Sequence, residues 1–285
     1  MRSYFKDWSD EEEIRQGDII SRIVHLHDQK PERRWGMVVT ADCDIAQNKA
    51  NNKYTWLEIV PAEEYVQYHW APDMLRKMAK KHSKFCLEQL NNHIIKSGLG
   101  LTALNEESLR EWLDTNTADE IFNALNYKPE ASLASKISSL KIAYDRSPTP
   151  PLNQYKLAHE ILGGNQKALK AAIVQGLEGS GGFPDFFFLP ELPSVDDGIG
   201  FVVLLRHIST LEYEELFRNE MEARVSGSSE SYHRVGRLSD PLRFAISQKM
   251  AFLFSRIGME VSFEETSTAA VEISVDHILF SLDEK

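Results

Sequence analysis

The chain has 285 residues, with 43 Asp or Glu against 32 Lys or Arg and a formal net charge of -11. An acidic whole of this kind excludes a protein that grips nucleic acid over its entire surface, so any phosphate contact must be local. A content of 42% hydrophobic and 26% charged residues marks a folded globular chain. Cys43 and Cys86 are too few to staple it and fit a reducing cytoplasm.

Residues 1–15 are acidic at 10–13, without the basic start and apolar core of a secretory leader. No apolar run is long enough to cross a bilayer, so no membrane partner is expected. Residues 17–27 mix β-branched side chains with near-alternation and predict a first strand. A charged loop carrying Pro31 follows, then an apolar strand at 35–41 and, after Asn-rich turn text, a third strand at 54–60 stopped by Pro61.

The period changes at Pro72. From there to about Lys96, Met74, Met78 and Phe85 with Leu75, His82 and Cys86 share one helical face. Further helices are predicted from Asn105, from Thr117 with Glu120 completing a capping box, and over 130–143, 152–162 and 165–177. Gly179-Ser180-Gly181-Gly182 marks a joint, strand text resumes at 183–189 and 200–208, and Ser239-Asp240-Pro241 opens a final amphipathic helix ended by Gly258. The order predicts an α+β fold: a discontinuous β domain at 16–71 and 183–285, interrupted by a helical insertion domain at 72–182.

Gly17-Asp18-Ile19, the loop ending Arg33-Arg34, Val38-Val39-Thr40, Ile59-Val60-Pro61 and the closing Val235-Gly236-Arg237-Leu238-Ser239 resemble the MazF/PemK toxin-like family. The resemblance covers about 16–62 and 183–258 and implies an SH3-like β-barrel. It also implies ribonuclease chemistry through an arginine, matched by Arg34, and a Ser or Thr, where this chain has Ala62. Barrel-like bacterial proteins with a similar Cys-Asp pair look like parts of toxin or anti-phage gene clusters.

Asp42-Cys43-Asp44 follows the second strand, where carboxylates two apart point the same way and can hold a cation or a base. His25 and His27 repeat that spacing, but a four-ligand set is missing, so no metal and no cofactor is expected. Cys43 is a candidate nucleophile or an inward-packing structural cysteine, with Asp42 and Asp44 as binding residues or caps. Arg76, Lys77, Lys80, Lys81 and Lys84 fall within one helical arc of about 140° opposite Met74 and Met78, the chain's densest basic patch. His233, beside Arg234 and near Arg237, is a candidate for phosphate chemistry with Arg34. The leading expectation is a non-catalytic binding or regulatory component of a bacterial toxin or anti-phage system. It would be cytoplasmic and engage a protein partner, with RNA or DNA on the basic helix and a homo-oligomer as further options. The alternative is a MazF-like RNA-binding protein or endoribonuclease using Arg34, Cys43 and His233.

Overall fold

A computed structural model describes residues 4–24, 32–98, 100–179, 185–193, 195, 200–227 and 231–255. His25, His27, residues 180–182 of the expected joint and the expected helix end at Gly258 lie outside the described residues. The chain opens with β1 (Asp18–Val24), β2 (Glu32–Val38), a short helix α1 (Asp42–Ala46) and β3 (Lys53–Pro61). A helical run then passes through α2 (Ala62–Tyr65), a π turn (Val66–Trp70) and α3 (Ala71–Ser97). After it come α4 (Glu106–Thr115), α5 (Ala118–Ala124), α6 (Ala131–Tyr144), α7 (Pro151–Ile161) and α8 (Gln166–Glu178). The chain returns to strands in β4 (Phe186–Leu189), β5 (Phe201–Glu212) and β6 (Leu216–Phe217). Helix α9 (Glu220–Ser226), β7 (Tyr232–Arg237) and α10 (Asp240–Phe254) complete the described chain.

The fold is α+β. Its strands form one sheet in the order β4-β5-β3-β2-β1-β7-β6, antiparallel except where β6 meets β7. Among the described residues this sheet is open: the expected closed barrel does not form, because β4 and β6 stand at opposite edges and do not pair. One face carries Ile19, Met37, Leu57 and Phe201 against Ile246 and Leu253 of α10, as the amphipathic pattern from Ser239 predicts. Ile20, Val38, Tyr54 and Leu211 fill the other. The helical block has its own core around Cys86, Leu90, Leu109, Ile121 and Ile137. A smaller cluster joins the two, with Tyr65 and Leu177 packed on Val60, Phe186 and Val202. Gly36 serves the sheet by absence, since a Cβ there would lie 2.3 Å from the ring of Trp56.

Pro72 stands in the first turn of α3, as expected, but the helical run to which α3 belongs begins earlier, at Ala62. A proline ring clashes with the carbonyl four residues back in a regular helix, and the widened π turn just before Ala71 is where the chain takes up that conflict. Tyr232 to Arg237 is a strand in which every residue is buried. Its charges are matched. Arg237 donates from Nε to Asp18 Oδ1 at 2.6 Å and pairs with Glu12, while Arg234 donates to the carbonyls of Ser9 and Glu12 at 2.9 and 3.0 Å. This network ties residues 9–13 to β1 and β7.

Candidate active site

Where β5, the π turn and the head of α3 meet, a cleft of about 610 Å³ brings His69, Arg206 and His207 together with Arg76 and Lys77 of the basic arc. Glu58 of β3 stands behind His207. Across the ladder Leu57 pairs with Ile208 but Ile59 with Val203, so residues 204–207 bulge out opposite Glu58. Such a bulge re-aims side chains, and here both Arg206 and His207 line the cleft. His207 Nδ1 lies 3.0 Å from Glu58 Oε2. A carboxylate only accepts, so Nδ1–H donates, and Nε2 is the nitrogen left for a second partner.

The second histidine arrives from the helical side. His69 sits in the π turn, the kind of helix irregularity often found at functional sites. Its ring meets His207 edge to face with centroids 5.3 Å apart, and Tyr65 stacks on it at 5.6 Å and 12°. Burial holds the His69 pKa below the ordinary imidazole value and His207 pushes the same way, while Glu58 and Asp185 partly oppose. Burial also pushes the Tyr65 hydroxyl up to about 12, so it stays protonated. The two imidazoles therefore differ: one is kept neutral, and the other is backed by a carboxylate.

The rim carries three cations, each paired with one of its two carboxylates, Asp73 and Asp185. Arg76, Lys77 and Arg206 line the cleft beside Tyr68, which is 64% exposed. Lys77 reaches Asp73 at 2.7 Å and Arg206 reaches Asp185 at 3.1 Å, both as exposed pairs of the weak kind that an incoming phosphate can displace. A second cleft, about 390 Å³, lies at the head of α10, lined by Arg15 and by three cations that are paired with carboxylates. Lys6 pairs with Asp240, Arg237 with Glu12 and Asp18, and Arg243 with Asp42 at 2.7 Å.

The residues singled out from the sequence distribute as follows. Arg76 and Lys77 line the cleft, and Lys80, Lys81 and Lys84 continue exposed along α3, as the helical arc predicts. Arg34 and His233 are not brought together. Arg34 is the cross-strand partner of Arg22, which lies over Tyr232, whereas His233 is the residue after Tyr232 and so projects from the opposite face of the sheet. His233 is 6% exposed, and burial depresses its pKa. Cys43 is exposed rather than packed inward, with its Sγ 3.6 Å from Asp44 Oδ1. Asp42 is a bracket: it accepts from Gln16 N at 2.8 Å and from Arg243 at 2.7 Å. Among the described residues no three His, Cys, Asp or Glu side chains are grouped to hold a metal ion. Glu58, His69 and His207 were missed because each lies in text whose pattern describes only its own strand or helix. Comparison with protein-family models, with curated proteins and with solved structures returns no match.

Proposed function

We propose that the chain is an endoribonuclease whose active site is the cleft lined by His69 and His207, with Glu58 behind His207. The observation that supports this reading is the unlike pair of imidazoles beside cationic Arg76, Lys77 and Arg206. RNA carries its own nucleophile, so a base and an acid on one phosphodiester suffice. Neutral His69 takes the 2′-hydroxyl proton as the 2′-oxygen attacks phosphorus. The bond from phosphorus to the 5′-oxygen breaks, and charged His207 gives that oxygen its proton. The products are a 2′,3′-cyclic phosphate and a free 5′-hydroxyl. Glu58 orients His207 and pairs with its charged form, and the rim cations offset charge gathering on the phosphoryl oxygens.

The test is cleavage of a labelled single-stranded RNA, with a 2′-O-methyl copy as control. His69→Ala and His207→Ala should each lower the rate by about 10²–10⁴, and the control should stay intact. Because His69 must be neutral and burial lowers its pKa, the acid limb of the rate profile should lie below the ordinary value of 6.5. An RNA cut equally by both variants, or not cut by the wild type, rejects the reading. The second result would favour the non-catalytic binding role, to which the acidic whole and Ala62 also point. A MazF/PemK relation, a division of the chain at 72 and 182, a cytoplasmic setting, a place in a toxin or anti-phage system and a protein partner belong to this proposal as its context. The order of the strand motifs supports the relation and the system, the change of period at Pro72 and the glycine-rich joint support the division, the two cysteines support the setting, and the helical insertion supports the partner.

A further inference from the structure

We infer that the exposed face of α3 is a track for a single strand of RNA, carrying it into the cleft from one side. The inference rests on the endoribonuclease reading for its direction, and on separate observations for the track itself. Arg76 and Lys77 belong both to the rim and to the stripe, so the two surfaces are continuous. Beyond them Lys80, Lys81 and Lys84 are exposed, and among the described residues none of the three forms an ion pair, since the stripe's pairs are confined to Asp73. Lys136 of α6 extends the positive surface, with its Nζ 3.8 Å from the centre of the Phe85 ring. Arg76, Lys80 and Lys84 stand four residues apart, which sets charges at steps of about 6 Å over roughly 12 Å. In a chain of net charge -11, such a concentrated stripe steers an anionic polymer to one place.

The strand is single because of the cleft end. Tyr68 is 64% exposed at the rim beside Arg206, an aromatic face on which an unpaired base can stack and which a paired base cannot reach. An acidic protein could meet the lysines and Tyr68 as well, so RNA is favoured by the continuity of the stripe with the cleft and a protein partner is an outcome of the test.

The experiment measures binding apart from cleavage. Fluorescent 2′-O-methyl oligouridines of about twelve and about three nucleotides are titrated by anisotropy at several salt concentrations, and cleavage of a uridine dinucleotide is followed in parallel. In Lys80→Glu/Lys81→Glu/Lys84→Glu the long oligonucleotide should lose about tenfold or more in affinity. The salt dependence of its binding should fall by about 2 in logarithmic slope, as expected when three phosphates are no longer neutralised. Binding of the short oligonucleotide and cleavage of the dinucleotide should stay near wild type. Tyr68→Ala should weaken both lengths alike. Unchanged binding of the long oligonucleotide by a folded triple variant overturns the track, as does a wild type that cleaves the dinucleotide but binds long and short oligonucleotides equally. Stripe-dependent binding with no cleavage keeps the track and rejects the endoribonuclease reading. A triple variant that loses only an acidic protein partner assigns the stripe to that partner and overturns the track.

Discussion

Replacing Asp18 with alanine should be among the most damaging single changes in the sheet. Its side chain is fully buried at the start of β1 and accepts from Arg237 Nε at 2.6 Å, Arg237 Nη2 at 3.1 Å and the Arg15 amide at 2.9 Å. Arg234 Nη1 is a further 3.5 Å neighbour. Burial opposes the charge of both guanidiniums: Arg234 is pulled down despite Asp18, whereas the bonds from Asp18 and Glu12 more than offset burial at Arg237. Removing one partner of a buried pair costs about 3–5 kcal/mol, since the remaining charge is stranded. The surviving bonds to Glu12 and to the carbonyls of Ser9 and Glu13 soften that loss, which places Asp18→Ala near ~3 kcal/mol. Urea unfolding followed by tryptophan fluorescence gives the number. The double variant Asp18→Leu/Arg237→Met should recover part of it, because Arg237 is no longer stranded, although Arg234 still lacks Asp18 beside it. A loss below about 1 kcal/mol, or no recovery in the double variant, would refute the argument that this network pins residues 9–13 to the sheet.

Two further outcomes follow from the placement of single residues. Cys43→Ser should change stability by less than about 0.5 kcal/mol and leave RNA cleavage untouched, because Cys43 is exposed; a large loss in either would restore it as a functional thiol. The buried His233 resists protonation, so as pH falls through 6.5 the unfolded chain takes up a proton that the folded chain refuses, and stability declines until the lower folded value is passed. Urea midpoints at about pH 7.5 and about pH 5.5 should therefore drop toward acid, less steeply in His233→Gln, and an unchanged slope in that variant would assign the decline elsewhere.

The elements that local pattern controls were legible in the sequence. The Thr117–Glu120 capping box caps α5 as predicted, Asn105 caps α4, and the 165–177 periodicity corresponds to Gln166–Glu178. Cys86 is buried on the apolar face of α3, opposite the exposed lysines. Each of these features is decided within a few residues by capping chemistry or by a 3.6-residue period. Illegible were features set by partners distant in sequence. The extent of β5 to Glu212 depends on its pairing with Lys53 and Tyr54, and the short α1, where the sequence suggests a turn, is braced by Gln16 and Arg243 through Asp42.

Glu58, His69 and His207 belong to that second class, whereas Arg76 and Lys77 of the same site were legible from the helical arc. A bulge in a ladder and a π turn in a helix both forgo regular hydrogen bonding, so no local propensity favours them. Yet the two occur on separate elements, 138 positions apart between His69 and His207, and deliver their histidines to contact at 5.3 Å. Pro72 accounts for an irregularity on the helical side, but nothing in the text of β5 demands that residues 204–207 stand opposite the single Glu58. The irregular stretch does two things: it buries Leu204 and Leu205 in separate cores while they keep their pairing on the β4 side, and it sends Arg206 and His207 into the cleft. Of those last two, His207 is singled out by its surroundings. Its value lies in the carboxylate behind it and the neutral imidazole in front, a combination that a merely structural histidine does not need.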